Sequence, residues 1–299
     1  MNSRLLQYLF LFFTIFNISE KVYAVPQQLH KIKHNQDPHF QFVLDTESSA
    51  NYKNKIISIA ARSDCIKYKW KNRGQAPAGY IKGLSLSFAR SLCRLYSKGS
   101  LLSPSLLMSK ANTNNSSIDA LSWYESTFDK LNLGIDENGP ETLRSLYTLA
   151  TGLGMRESSG SYCEGWDVSA GSSRSSSEAE AGLFQTSYDS IGFSPELKKL
   201  YDEYRANSNR CYLAEFQEGA SCSPRSILGT GAGATYQKFT KNCPAFATEY
   251  AMALLRVQRK HFGPIIRKEA ELIKSCDELY EDVESFVEQD RVKACQELI

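Results

Sequence analysis

The sequence contains 299 residues, of which 42% are hydrophobic and 23% are charged, with a formal net charge of +2. This length suits one large domain or two small ones. The nearly balanced charge argues against nucleic-acid binding, because following a phosphate backbone requires a strongly basic surface.

The N-terminal residues have the pattern of a secretory signal. Arg4 supplies a positive charge, and residues 5–18 are apolar but too few for a comfortable membrane span. Val22-Tyr23-Ala24 provides the small residues that a signal peptidase recognises. We therefore predict cleavage after Ala24 and an exported protein, periplasmic or secreted, without stable membrane insertion after cleavage. An uncleaved N-terminal anchor is the alternative.

The chain contains eight cysteines, an even number that indicates disulfide bonds in an exported protein. Zinc binding is the alternative, but it is disfavoured because no Cys-x-x-Cys pair is present. Sequence does not determine the connectivity; closeness along the chain suggests two local bridges, Cys65–Cys93 and Cys276–Cys295. The four central cysteines would then brace the loops around the candidate site: Cys163, Cys211, Cys222 and Cys243.

Residues 25–49 form a polar segment that we predict to be a flexible arm. The spacing of its three histidines matches no compact metal site: His30, His34 and His39. Residues 50–140 are predicted to be a helical N-terminal region. Within it, a helix over 83–98 is indicated by apolar residues at helical spacing: Leu84, Phe88, Leu92 and Leu95. A loop over 99–117 and a second helix over 118–131 follow.

The rest of the chain, residues 141–299, is also predicted to be mainly helical. Pro140 opens a helix whose apolar stripe continues to Leu153, and Gly152 and Gly154 near its end allow either close packing or the approach of a ligand. Further helices are predicted over four segments: 194–204, 245–261, 265–279 and the tail from 281. Strand patterns are scarce, so we predict an all-α (α-rich) fold braced by disulfides.

Glu157 stands at the end of the helix that Pro140 opens, before a loop rich in serine and glycine. The apolar surroundings and the negative end of the helix dipole both favour a protonated carboxyl. Such a carboxyl can deliver its proton to the leaving oxygen when a glycosidic bond is cleaved. Phe184 and Gln185 offer an aromatic face and hydrogen bonds for a sugar. The alternative is that Glu157 is a surface residue at a helix end.

The pair Glu157-Ser158, followed by Gly-Leu-Phe-Gln over 182–185, resembles the lysozyme-like transglycosylases. This group comprises the soluble lytic transglycosylases and the goose-type lysozymes, where the motif reads Glu-Ser and then Gly-Leu-Met-Gln. Here Phe184 replaces the methionine, and the resemblance covers residues 143–262. It implies a lysozyme-like catalytic domain over 141–299, with the preceding helices as an extension. It implies Glu157 as the acid and assigns substrate binding to six residues: Ser158, Gly182, Leu183, Phe184, Gln185 and Tyr250.

The resemblance also bears on a second carboxylate. Goose-type lysozymes have Gly-Trp-Gly-Asp in the loop and a further Asp after Gly-Leu-Met-Gln-Val. Asp167 in Gly-Trp-Asp could correspond to the first, or cap a turn, whereas Ser187 stands in place of the second. Glu180 is either another cleft carboxylate or, as we favour, a solvated surface charge. Since Ser187 replaces the second Asp, simple hydrolysis is disfavoured. Lytic transglycosylases, by contrast, work with one Glu and need no water-positioning base.

Family members also place a tyrosine on a later helix near the catalytic Glu. Tyr250 is the candidate here and Tyr236 the alternative, although an aromatic residue on an apolar helix is more often part of the core. If these tyrosines are core residues, neither has a role at the candidate site.

Taken together, the resemblance implies an exported enzyme that cleaves the MurNAc-GlcNAc β-1,4 bond of peptidoglycan. The expected mechanism is that of a lytic transglycosylase giving 1,6-anhydro-muramic products. Its partner would be the peptidoglycan glycan strand, with no nucleic acid and no metal or organic cofactor. The alternatives are a muramidase of the same fold, a chitinase-like enzyme, and a non-catalytic peptidoglycan-binding envelope protein.

Overall fold

The computed structural model describes residues 51–97, 103–166, 174–222 and 227–299. The predicted signal segment and polar arm therefore lie outside the described residues. Within the described part the chain forms twelve α-helices: α1 (Tyr52–Arg62), α2 (Ala78–Tyr96), α3 (Pro104–Met108), α4 (Ala120–Leu131), α5 (Pro140–Ser158), α6 (Pro195–Ala206), α7 (Leu213–Phe216), α8 (Gly231–Asn242), α9 (Pro244–Val257), α10 (Gly263–Ile266), α11 (Lys274–Gln289) and α12 (Arg291–Leu298).

One small antiparallel hairpin accompanies the helices. Strand β1 (Lys69–Trp70) pairs with β2 (Gly74–Gln75), with Lys69 opposite Gln75. The described part of the chain is otherwise helix, short 3-10 turns and loops, which confirms the predicted all-α, disulfide-braced class. None of the described helices is long and apolar enough to cross a bilayer.

Helix α2 lies in the middle of the core because its sequence is apolar or small on nearly every side. It packs against α1, α5, α9 and α11, so helices from before and after residue 140 share one hydrophobic core. Close approach depends on Gly83, where a Cβ atom would collide with the ring of Phe216. The burial of these apolar faces is the main force that stabilises the fold.

Helix α5, which carries Glu157, is buried along most of its length. The prediction that glycines allow close packing near its end is confirmed. A Cβ atom on Gly152 would collide with the backbone of Glu271, and one on Gly154 would meet Tyr80 and Phe184. The end of α5 is thus packed closely between α2 and the segment that follows α10.

All eight cysteines form disulfides, but the two local bridges that we predicted are wrong. Cys65 pairs with Cys276 and Cys93 pairs with Cys295, at sequence separations of 211 and 202 residues. The physical reason is that α11 and α12 pack against α1 and α2, which places the C-terminal cysteines beside the N-terminal ones. The four central cysteines pair among themselves as predicted: Cys163–Cys222 and Cys211–Cys243.

The helix predicted over 265–279 is also wrong. Helix α10 ends at Ile266, and α11 begins only at Lys274. Between them Lys268 has a φ of 54°, in the left-handed region, which an α-helix does not allow. This irregular segment contributes charged residues to the surroundings of Glu157, which a continuous helix could not.

Candidate active site

Glu157 lies in the last turn of α5 and is half-buried. The helix ends because Ser159 adopts a φ of 55° and Gly160 a φ of 74°. Their backbone N–H groups donate to the carbonyls of Met155 and Gly154, which satisfies two acceptors at the helix end. The chain therefore turns away directly after Ser158, one residue beyond Glu157.

The Gly-Leu-Phe-Gln segment forms a tight turn between Ala181 and Thr186. These two residues exchange backbone hydrogen bonds of 3.1 and 3.3 Å. Gly182 has a φ of 79°, and a Cβ atom there would lie 2.9 Å from the side chain of Thr240. Gln185 also has a positive φ, of 48°. Glycine is required at the first position because it alone combines that backbone conformation with so little space.

Ser158 joins the two segments of the motif. Its hydroxyl donates to the backbone carbonyl of Leu183 at 2.8 Å, and it also lies 3.2 Å from the carbonyl of Gly154. The two parts that the sequence separates by more than twenty residues are therefore in direct contact. Glu157, one residue before Ser158, consequently lies next to the turn over 182–185.

The electrostatic surroundings of Glu157 favour its protonated form. Burial raises the pKa of this carboxyl to about 8, and repulsion from Glu180 adds to the effect. The cations Arg267 and Arg73 act in the opposite direction without cancelling it. A carboxyl that holds its proton at neutral pH can act as a general acid. The sequence predicted the direction of this shift, but not the contribution of Glu180.

Glu180, which we expected to be a solvated surface charge, is only partly exposed, at 29% of its side chain. Its Oε1 atom lies 3.8 Å from Nε2 of His261. Burial lowers the pKa of His261 to about 4, so the imidazole is neutral at physiological pH. Because its charge raises the pKa of Glu157, Glu180 is a second carboxylate within electrostatic range of that residue. Asp167, the other candidate for that role, lies outside the described residues.

Leu183 and Phe184 have no exposed surface. Phe184 packs under the end of α5, against Gly154, so that both side chains support the turn from inside the core. Gln185 is 8% exposed, and its Nε2 donates to the carbonyls of Gly182 at 2.9 Å and Gly165 at 3.2 Å. Its amide thereby links the turn to the loop that contains Gly165.

Tyr250 and Tyr236 are both fully buried behind the turn. The hydroxyl of Tyr250 shares a 2.7 Å hydrogen bond with Ser190, and that of Tyr236 shares a 2.9 Å hydrogen bond with Thr186. Tyr236 thus holds the end of the turn at Thr186, whereas Tyr250 holds the 3-10 segment that follows it, and neither tyrosine is exposed to a substrate in this structure.

Three charged residues that the sequence did not reveal surround the Glu157 helix end: Arg73, Arg267 and Glu269. Arg73 donates to the carbonyl of Arg156 at 2.6 Å and to the Ser159 hydroxyl at 3.3 Å. Arg267 makes two contacts of 2.9 Å with Glu269, which also lies 3.4 Å from Arg156. No sequence signal could have found them, because they come from the hairpin and from the irregular segment before α11.

Among the described residues, no three acidic, histidine or cysteine side chains gather closely enough to hold a metal ion. Comparisons with protein-family models, with curated proteins and with solved structures find no match for this chain. The function is therefore inferred from the residues and the geometry around Glu157.

Proposed function

We propose that this protein is an exported enzyme that cleaves the MurNAc-GlcNAc β-1,4 bond of peptidoglycan as a lytic transglycosylase. The observation that carries the proposal is the Glu157 carboxyl, whose pKa is raised to about 8 at the contact between α5 and the turn over 182–185. The four disulfides support export, since such bonds persist in oxidising compartments.

In the proposed reaction Glu157 first acts as an acid. Its carboxyl donates a proton to the glycosidic oxygen, the bond from that oxygen to C1 of the muramic sugar breaks, and C1 becomes oxocarbenium-like. The resulting carboxylate then accepts the proton of the sugar's C6 hydroxyl while that oxygen bonds to C1. The products are a 1,6-anhydro-muramic end and a free GlcNAc hydroxyl, and Glu157 regains its proton.

Hydrolysis by the same fold is the second candidate, and Glu180 is the observation that favours it. A carboxylate near the acid can deprotonate a water molecule that attacks C1, as in inverting glycosidases. In that case the product has a reducing muramic end, and Glu180 supplies the base for which the sequence offered Asp167.

The test is mass spectrometry of the soluble fragments released from purified peptidoglycan by the secreted protein. Anhydro-muramic ends that fall by about 10²–10⁴-fold in Glu157→Gln would support the transglycosylase. Reducing ends that disappear in Glu180→Gln would favour the hydrolase. Absence of fragments, together with retention on insoluble peptidoglycan, would instead identify a binding protein.

A further inference from the structure

A cavity of about 350 Å³ lies beside the end of α5. Three separate segments form it: the turn between β1 and β2, the last turn of α5, and the irregular chain before α11. We call it the hairpin cavity, and it is lined by Lys71, Asn72, Arg156, Lys268, Glu269 and Glu271. Lys71 and Asn72 belong to the N-terminal region, which the motif of the transglycosylases does not include.

Positive charge exceeds negative charge around this cavity. Glu269 is already paired with Arg267, and Glu271 accepts hydrogen bonds from the backbone N–H of Lys71 at 2.9 Å and the hydroxyl of Tyr68 at 3.1 Å. In the described part of the chain, neither Lys71 nor Lys268 has a carboxylate partner. The ammonium of Lys268 lies only over the ring of Trp123, 4.6 Å from its centroid. Two lysines are thus available for an anion.

Arg156 provides a second, independent observation. Its Nε atom is buried and has no hydrogen-bond partner in the described structure. Its other two nitrogens make only long contacts of 3.4 Å, to the Lys71 carbonyl and to Glu269. The Arg156 side chain is 21% exposed, and a guanidinium without short hydrogen bonds can donate to both oxygens of one carboxylate at once. The wall of the hairpin cavity therefore has donor capacity that suits a planar anion.

We propose that the hairpin cavity binds a carboxylate of the peptide stem that the muramic sugar carries, so that the enzyme prefers peptide-bearing glycan with free carboxylates. This inference rests on the proposed function. The cavity is connected with the proposed reaction through two of its lining residues: Arg156 adjoins Glu157 in sequence, and Glu269 acts electrostatically on the Glu157 carboxyl. A stem held in the cavity would fix the register of the sugar chain relative to Glu157.

The test uses glycan strands with intact stems and the same strands after their carboxylates are converted to carboxamides with carbodiimide and ammonia. We expect wild type to show a kcat/KM at least about fivefold higher on the untreated strands, the effect of two charge-assisted contacts. Lys71→Gln combined with Lys268→Gln should remove this preference. The matched control is Lys55→Gln combined with Lys293→Gln, which removes two exposed lysines of α1 and α12.

Equal kcat/KM on both substrates, or a preference that persists in the Lys71/Lys268 variant, would overturn the inference and leave the proposed function intact. Binding of disaccharide-peptide fragments to Glu157→Gln, measured by calorimetry, separates the two claims. Tighter binding of the untreated fragment without any cleavage by wild type would overturn the proposed function alone. Equal or absent binding of both fragments would overturn the cavity's role even if cleavage occurs.

Discussion

The hydroxyl of Ser158 donates a 2.8 Å hydrogen bond to the backbone carbonyl of Leu183, 25 residues further along the chain. This single contact fastens the last turn of α5, with Glu157, to the turn over 182–185. Both groups are buried, so the bond is shielded from competition with water. The contact explains why the serine that follows Glu157 and the turn that begins at Gly182 act as one structural unit.

Replacing Ser158 with alanine should loosen this contact. We expect Ser158→Ala to lower the free energy of unfolding by about 1 kcal/mol, since a buried carbonyl loses its donor. Release of soluble fragments from peptidoglycan should fall more than stability alone explains, because the helix end that carries Glu157 is no longer fastened to the turn over 182–185. Thermal unfolding and fragment release measure the two effects. Ser161→Ala, just outside the helix, is the control and should change neither.

The raised pKa of Glu157 predicts how activity depends on pH. The acid must be protonated, so activity should decline about tenfold per unit as pH rises above about 8. The sign for stability is the same: the folded state binds the proton more tightly than the unfolded chain, so this stabilisation is complete below about 4.5 and is lost as pH rises through 8. Urea titrations between pH 4 and 9 should show a flatter dependence in Glu157→Gln; an unchanged slope would contradict the assignment.

Removing the charge of Glu180 should shift that alkaline limit. Glu180 raises the pKa of Glu157 by repulsion, so in Glu180→Gln the pKa of Glu157 should fall and activity should decline from a lower pH. Under the transglycosylase mechanism, activity at pH 5 should remain within a few-fold of wild type, since only one acid is required. A pH profile of anhydro product measures both effects. Glu178→Gln, an exposed carboxylate two residues away, should leave the profile unchanged.

Gly182 should not tolerate a side chain. Gly182→Ala forces a φ of 79° on alanine and brings its Cβ within 2.9 Å of Thr240, so we expect a loss of about 1–3 kcal/mol of stability. Activity should fall as well, because the turn that contacts Ser158 is displaced. Gly192→Ala is the matched control, since that glycine has open space around it. Equal melting temperatures for the two variants would show that the turn is not constrained.

The sequence predicted much of the local structure but few of the contacts between residues that are distant along the chain. Helical spacing identified the helix that carries Glu157, and the motif identified Ser158 and the turn that it contacts. The partners of Cys65 and Cys93 were not predicted, because each partner lies more than 200 residues further along the chain. The segment over 267–273 was predicted to be part of a helix that resumes after Gly263-Pro264, whereas the structure forms a turn at Lys268.

The same distinction applies to the candidate site. The helix-end position of Glu157 was visible in the sequence, and so was the direction of its pKa shift. The cations of the hairpin and of the segment before α11 were not, because charged residues in loops carry no periodicity. Tyr250 and Phe184 were assigned to substrate, yet both side chains are fully buried: Phe184 lies inside the turn, and Tyr250 bonds to Ser190 in the segment that follows it. Residue type alone does not show whether a side chain lines a cleft or packs in the core behind it.

The disulfides Cys65–Cys276 and Cys93–Cys295 close the chain on itself from both directions. Any single peptide-bond cut between Cys93 and Cys276 leaves two pieces that remain covalently linked through both bridges. The segment carrying Glu157 and the turn over 182–185 lies wholly within this interval. A protease that nicks an outer loop would therefore not release either half, and the candidate site around Glu157 would stay on one covalently linked framework.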